Sequence, residues 1–336
     1  MIIDCHGHFT TVPAALAQWR TKQLDGKSSV VPSDLQISDD EIRDALEASQ
    51  IRALDARGID HMLFSPIAGS MGHHLGTPEQ SRVWSEVAND VIHRVCQLYP
   101  SRFSGVCQLP QSPSADLSAS IVELRRCVGL GFVGCNLNPD PSGGYWTGPP
   151  VTDPYFFPLY EALCELDVPA MIHVSGSCNP CFHHTGAHYL NGDTTVFMQV
   201  LTSDLFQRFP GLRFVIPHGG GCVPYHWGRY RGLAMRHGTR TLEENVLDNV
   251  FFDTCIYHQA GVDLIARVVP SQNILYGSEM FGAVKDVDPE TGRYFDDTKH
   301  FLESTSFLDA AQRKAVFSEN TLRVYPRLRR VSHLQS

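Results

Sequence analysis

The sequence predicts a (β/α)8 barrel, and three observations carry that expectation. Short apolar, β-branched runs alternate with segments of helical periodicity eight times between residues 2 and 279. No glycine-rich phosphate turn follows the first run, which argues against a doubly wound dinucleotide-binding sheet. The polar residues His6, His8, Asn138, His173, His218, Asp253 and Glu279 all fall at or just past the carboxyl ends of these runs. In a closed barrel those ends converge on one mouth, whereas in an open sheet they would be strung along an edge.

The first run is Ile2-Ile3-Asp4-Cys5-His6-Gly7-His8. Residues i and i+2 of an extended segment project to one face, so His6 and His8 can reach a single point. Thr10 to Ser38 is polar and irregular apart from a helical run near Ala14 to Arg20. It is too long for an ordinary connection, and we expect a lid over the end of the first strand. Asp39 to Arg57 reads as an amphipathic helix carried by Ile42, Ala45, Leu46, Ala53 and Leu54, and Gly58 stops it. Asp60 to Ser65 is the second strand.

The alternation continues through a helix at Pro78–Leu98, a strand at Arg102–Leu109, a helix at Ser114–Leu130 and a strand at Phe132–Leu137. Pro154–Leu166 is a helix with proline in its first turn, where the missing N–H costs nothing. Val168–His173 is the fifth strand. A long loop carrying His183, His184, His188 and Tyr189 follows, then a helix at Thr194–Phe209 and a strand at Leu212–His218. Val223–His237 is helical, Val250–Asp253 a strand, Val262–Val269 a helix and Asn273–Glu279 the eighth strand. Extra C-terminal helices are expected around Asp297–Glu303 and Asp309–Ser318.

With 336 residues, 43% of them hydrophobic, the chain can build one large core, and residues 1–336 are expected to form a single domain. A formal charge of −9 without a basic stripe argues against nucleic acid as a partner. The ten cysteines are scattered through apolar runs, and Cys178-x-x-Cys181 has no second pair to complete a zinc knuckle. We therefore expect reduced thiols, no secretory leader and a soluble, cytoplasmic protein. No apolar stretch approaches the roughly 20 residues of a membrane span, so no membrane partner is expected. Barrels of this size commonly pair, and a homo-oligomer is expected.

Catalytic zinc takes three protein ligands plus water or substrate, drawn from His, Asp, Glu or Cys. His6, His8, His173 and Glu279 supply such a set from the first, fifth and eighth strands. A histidine at a strand end is by itself more often a hydrogen-bonded loop residue, so the weight rests on three strands agreeing.

His6-x-His8, His173, Ile216-Pro217-His218-Gly219-Gly220-Gly221 and Tyr276-Gly277-Ser278-Glu279 together resemble the metal-dependent amidohydrolase superfamily, and within it the aminocarboxymuconate-semialdehyde decarboxylase-like branch. Asp153-Pro154, Arg208-Phe209-Pro210, Pro224-Tyr225 and Asn320-Thr321-Leu322-Arg323-Val324-Tyr325 extend the likeness over nearly the whole chain. The resemblance implies the barrel and a single Zn2+ per subunit; imidazole and carboxylate also suit Mn2+ or Fe2+. Glu279 as a metal ligand is carried over from a position where the decarboxylases and most deaminases have Asp. That departure, with the Ile3–His8 opening, is similar to the hydratase members of the superfamily. It implies hydration of an unsaturated keto-tricarboxylate in aromatic (protocatechuate 4,5-cleavage) catabolism.

Such a hydratase adds hydroxide β to a ketone and a proton α to it, and zinc lowers the pKa of bound water from 15.7 toward about 7. His218 is the first candidate for proton handling, Tyr189 a candidate donor to the developing enolate, and Glu279 a ligand, a base or both. Arg229, Arg231 and Asn138 are the candidates for binding the polycarboxylate substrate. Three other readings remain: a zinc-dependent decarboxylase of the same branch, a lactone or amide hydrolase, and a barrel that binds a ligand without turning it over.

Overall fold

The computed structural model describes residues 1–26, 31–238, 241–331 and 334. Seven parallel strands form one sheet in sequence order: β1 (Ile3–His8), β2 (His61–Ser65), β3 (Phe103–Gln108), β4 (Gly134–Leu137), β5 (Ala170–Ile172), β6 (Phe214–Ile216) and β7 (Val250–Phe252). All seven are buried along their whole length, as parallel strands covered by helices on one side and packed on a barrel interior on the other must be.

The expected eighth strand, Asn273–Glu279, joins both edges of this sheet without forming a ladder. Ile274 bridges Phe252, and the Leu275 amide donates to the Phe252 carbonyl at 2.8 Å. On the other side the Cys5 amide donates to the Tyr276 carbonyl at 2.8 Å and the Glu279 amide to the His6 carbonyl at 2.9 Å. Regular pairing fails because the Tyr276 amide turns to the Val316 carbonyl and the Ser278 amide to the Asp4 carboxylate. Both are strong local alternatives to a ladder bond, and neither is visible as periodicity.

Two apolar clusters follow from the alternation of side chains. The larger lies between strands and helices. The smaller fills the barrel interior with Ile3, Cys5, Leu63, Val106, Met171 and Val215 among others, and Tyr325 and Leu328 of the C-terminal segment join it. Strict alternation after Ile3 and Cys5 would turn His6 away from that interior. The β1–β2 register shifts between Asp4 and Gly7, which resets the parity and delivers both His6 and His8 to the mouth. Gly7 is required there, because a Cβ would collide with the Met62 thioether.

Several helix boundaries move. The helix after β5 begins at Tyr189, five residues before the expected Thr194, and ends at Leu201, with a separate turn at Leu205–Arg208. Asp39–Arg57 is helical throughout but carries a π-turn at Glu47–Ile51, and Gly58 ends it at φ +63°. Residues 14–24 are helical, longer than expected, while part of the predicted lid, residues 27–30, lies outside the described residues. Short helices occupy Lys299–Ser304, Ala310–Lys314 and Asn320–Val324. The ten cysteines are free, and among the described residues no helix is long and apolar enough to cross a membrane.

His73, just past β2, is buried with its Nε2 unpartnered. Burial pushes its pKa down to about 3, helped by the neighbouring Arg20 charge. The unfolded chain therefore binds a proton that the native chain refuses between about pH 6.5 and 3, and stability falls as pH falls through that window. The contribution is at most about 1.4 kcal/mol per pH unit. Urea titrations of His73→Gln and the parent are expected to show the shallower acid slope in the variant.

Candidate metal centre

The three histidines at the ends of β1 and β5 meet at their Nε2 atoms. His8 Nε2 lies 3.1 Å from His6 Nε2 and 3.2 Å from His173 Nε2. These contacts cannot be ordinary hydrogen bonds, because each ring already donates through Nδ1. His6 Nδ1 donates to Asp253 Oδ2 at 2.7 Å, His173 Nδ1 to the Val174 carbonyl at 2.8 Å, and His8 Nδ1 to Ser65 Oγ at 2.7 Å and the Pro66 carbonyl at 3.2 Å. Each imidazole is thus held as the tautomer that leaves Nε2 a lone pair, and three lone pairs face one point. Burial, then mutual repulsion among the rings, pushes His8 well below its usual pKa, and burial also lowers His173. Neutral, buried, convergent imidazoles repel one another unless a cation lies between them, and the donor set fits a divalent ion.

Glu279 completes the group: Oε1 is 4.0, 3.8 and 3.9 Å from the Nε2 atoms of His6, His8 and His173. Its other oxygen, Oε2, is 3.7 Å from His218 Nε2 and 3.5 Å from the Tyr257 hydroxyl, which donates to it. Burial alone would raise the carboxyl, but the neighbouring imidazoles of His173, His218 and His6 outweigh it and hold Glu279 well below the ordinary range. Glu279 at φ +50° and His218 at φ +52° both sit in the left-handed region, a cost that non-glycine residues bear where a side chain must be aimed.

His218 is backed by Asp193, its Nδ1 donating to Oδ2 at 2.9 Å, while its Nε2 has no partner within hydrogen-bonding distance. Burial opposes its protonation, yet Asp193 and Glu279 raise its pKa well above the usual value. The Tyr189 ring stacks on His218 at 5.5 Å and 7°. At its hydroxyl a short relay fixes the proton: the Ser177 amide donates to His184 Nδ1 at 3.2 Å, so His184 Nε2 carries the hydrogen and donates to Tyr189 Oη at 3.1 Å. The phenolic hydrogen is left free to point into the cavity.

That cavity, of about 270 Å³, is lined by His8, His173, Glu279 and Tyr189 and opens past Thr185 and Lys285. Among the described residues, Lys285 is the one lysine or arginine that lines it. The residues expected to bind carboxylates are placed elsewhere. Arg229 and Arg231 are exposed on the helix Trp227–Gly238 and do not line the cavity. Asn138 is buried, its amide donating to Ser175 Oγ at 2.8 Å and its Oδ1 accepting from the Asp140 amide, so it holds loops together instead of facing the cavity. Tyr189 occupies the first turn of a helix, not a loop.

Sequence reasoning gave no role to three carboxylates. Asp253 accepts from His6 through one oxygen and from the Gly219 and Cys255 amides through the other, tying the metal centre to the His218 turn. Asp4 accepts from the His6 amide and from the amide and hydroxyl of Ser278, fastening β1 to the closing segment; burial pushes its pKa up to about 6 against the pull of Ser278. Asp193 was legible only as the one charged residue of the helix Tyr189–Leu201. Asp253→Asn is expected to lower metal affinity by about 10–100-fold, read by competition with a chromogenic chelator.

A barrel whose mouth gathers three neutral imidazoles and a carboxylate is the architecture of a metal-dependent hydrolase-like enzyme. The amidohydrolase family model matches residues 3–327, and the chain belongs to that family. It is 54% identical over 331 residues, covering 98% of this chain and 97% of the other, to a 2-keto-4-carboxy-3-hexenedioate hydratase of Sphingobium sp. (strain NBRC 103272 / SYK-6). The crystal structure of a 4-oxalomesaconate hydratase from Rhodopseudomonas palustris superposes with a TM-score of 0.92 at 49% identity, covering 100% of this chain and 98% of that one. A gamma-resorcylate decarboxylase of Rhodococcus jostii (strain RHA1) is 32% identical over 191 residues, 52% of this chain and 56% of its own length.

Proposed function

We propose that the chain is a hydro-lyase that adds water reversibly across the C=C of 4-oxalomesaconate, giving 4-carboxy-4-hydroxy-2-oxoadipate in aromatic (protocatechuate 4,5-cleavage) catabolism. The observation that carries the reading is the division of Glu279, with Oε1 toward the three imidazoles and Oε2 toward His218. The two hydratases are 54% and 49% identical to this chain over essentially its whole length, while the gamma-resorcylate decarboxylase is 32% identical over about half of it.

In this proposal His6, His8, His173 and Glu279 hold one zinc per subunit. When bound, zinc supplies the Lewis acidity that brings the ionisation of water from a pKa of 15.7 toward about 7. Hydration then needs conjugation of the C=C with the ketone, because electrons pushed off the β carbon must reach the ketone oxygen. Tyr189 hydrogen-bonds to that oxygen through its free phenolic hydrogen as it becomes an enolate, and keeps the proton. Glu279 Oε2 takes the proton lost by water, and His218 Nε2 delivers a proton to the α carbon. Transfer across the 3.7 Å between them restores both groups for the next turnover. Lys285 meets a substrate carboxylate at the mouth, and residues 10–26 with 31–38 wall one side as a lid.

The remaining parts of the proposal are a single domain over residues 1–336, a cytoplasmic location and a homo-oligomer. The deciding assay follows loss of enone absorbance and release of bicarbonate in one reaction. Hydration predicts absorbance loss without bicarbonate; stoichiometric bicarbonate would mean decarboxylation instead.

A further inference from the structure

A second chamber lies beside the catalytic cavity, between the helix Ala14–Leu24 and the helix Pro78–Leu98. Its volume is about 210 Å³, and its walls are almost wholly apolar. Among the described residues, Arg20 is its one charged lining residue, and Arg20 is only 7% exposed. The guanidinium donates to the Gln23 side chain, and to the Gly72 carbonyl at 3.4 Å, and it lies 5.1 Å from the centre of the Trp84 ring. Among the described residues no carboxylate pairs with it, and the titratable neighbours His73 and His74 are held neutral by burial and by its own charge. Burial lowers Arg20 to about 10, so it remains a cation at neutral pH.

A buried guanidinium without an anion is an expensive arrangement, because desolvation is suffered without Coulombic compensation. Among the described residues, the other twelve that line it supply one hydroxyl, that of Ser70. An occupant bearing one carboxylate and an apolar body would satisfy both halves of the chamber. A tricarboxylate would not, since its further charges would meet Leu16, Trp84, Val91 and Ile92.

We propose that this chamber is a second ligand site, for a small apolar monocarboxylate of the aromatic-acid class. Its carboxylate pairs with the Arg20 fork, and its ring packs between Trp84, Leu16 and Val91. The site shares Ile67 and Ser70 with the catalytic cavity but none of the metal-binding side chains.

The test uses the full-length, metal-loaded protein with sodium benzoate as probe and benzamide as its neutral counterpart. The readout is tryptophan fluorescence, since Trp84 lines the chamber and stacks with Trp19 at 6.2 Å. Benzoate is expected to bind saturably and about tenfold or more tighter than benzamide. Arg20→Gln should erase that preference. Val91→Phe, which fills the chamber and leaves the charge in place, should weaken both probes about tenfold and keeps the test open if the first variant does not fold. Equal binding of the two probes, or benzoate binding unchanged in either folded variant, overturns the proposal; the latter would locate the carboxylate at the metal instead.

Discussion

Exhaustive dialysis against a chelator is expected to lower the hydration rate about a thousandfold or more, and stoichiometric zinc to restore it. The effect is large because the side chains left behind have no other way to ionise water at neutral pH, and several kcal/mol of barrier correspond to that many decades. His6→Ala should reproduce the loss without rescue. It removes one of three lone pairs that meet at 3.1–3.2 Å and strands Asp253, whose Oδ2 lies 2.7 Å from the missing ring nitrogen. Elemental analysis beside the rate assay checks both halves of the argument. A chelated, metal-free protein that still turned over would remove the basis for assigning the three histidines and Glu279 to one ion.

The four residues proposed to hold the metal were legible because each falls at or just past the carboxyl end of an apolar, strand-like run. A strand's carboxyl end in a parallel barrel points to the mouth, so the positions of His6, His8, His173 and Glu279 could be read without knowing the partners that orient their side chains. Even so, His6 reaches the site through a register shift that no pattern of hydrophobicity records. The closing segment was placed correctly but expected as a strand, because its apolar run looks like the others; Asp4 and Val316 divert its amides. Substrate-binding residues were the least legible. Arg229 was chosen for its charge near a recognised turn, but a helix surface shows its outer face as readily as its inner one, and Arg229 lies on the exposed side. Lys285 lines the cavity from a loop where neither periodicity nor strand direction constrains a side chain.

Replacing His218 by Asn is expected to lower kcat by about 10²–10⁴-fold while metal content and KM stay close to those of the parent. Asn is the informative substitute because it tolerates the left-handed φ of +52° that most side chains resist, so the Gly219–Gly221 turn is preserved. Metal should stay bound, since His218 Nε2 lies beside Glu279 Oε2 and outside the group of four donors. Asp193→Asn tests the same step from behind. Asp193 is what chiefly raises His218 against burial, and a group acting as an acid loses its proton as pH rises through its pKa. The alkaline limb of the kcat profile should therefore move to lower pH in Asp193→Asn and vanish in His218→Asn. Because the two residues act through one proton, the double variant should be little worse than His218→Asn alone. Loss of metal from His218→Asn would instead make the imidazole a ligand and leave the proton on the α carbon to come from elsewhere.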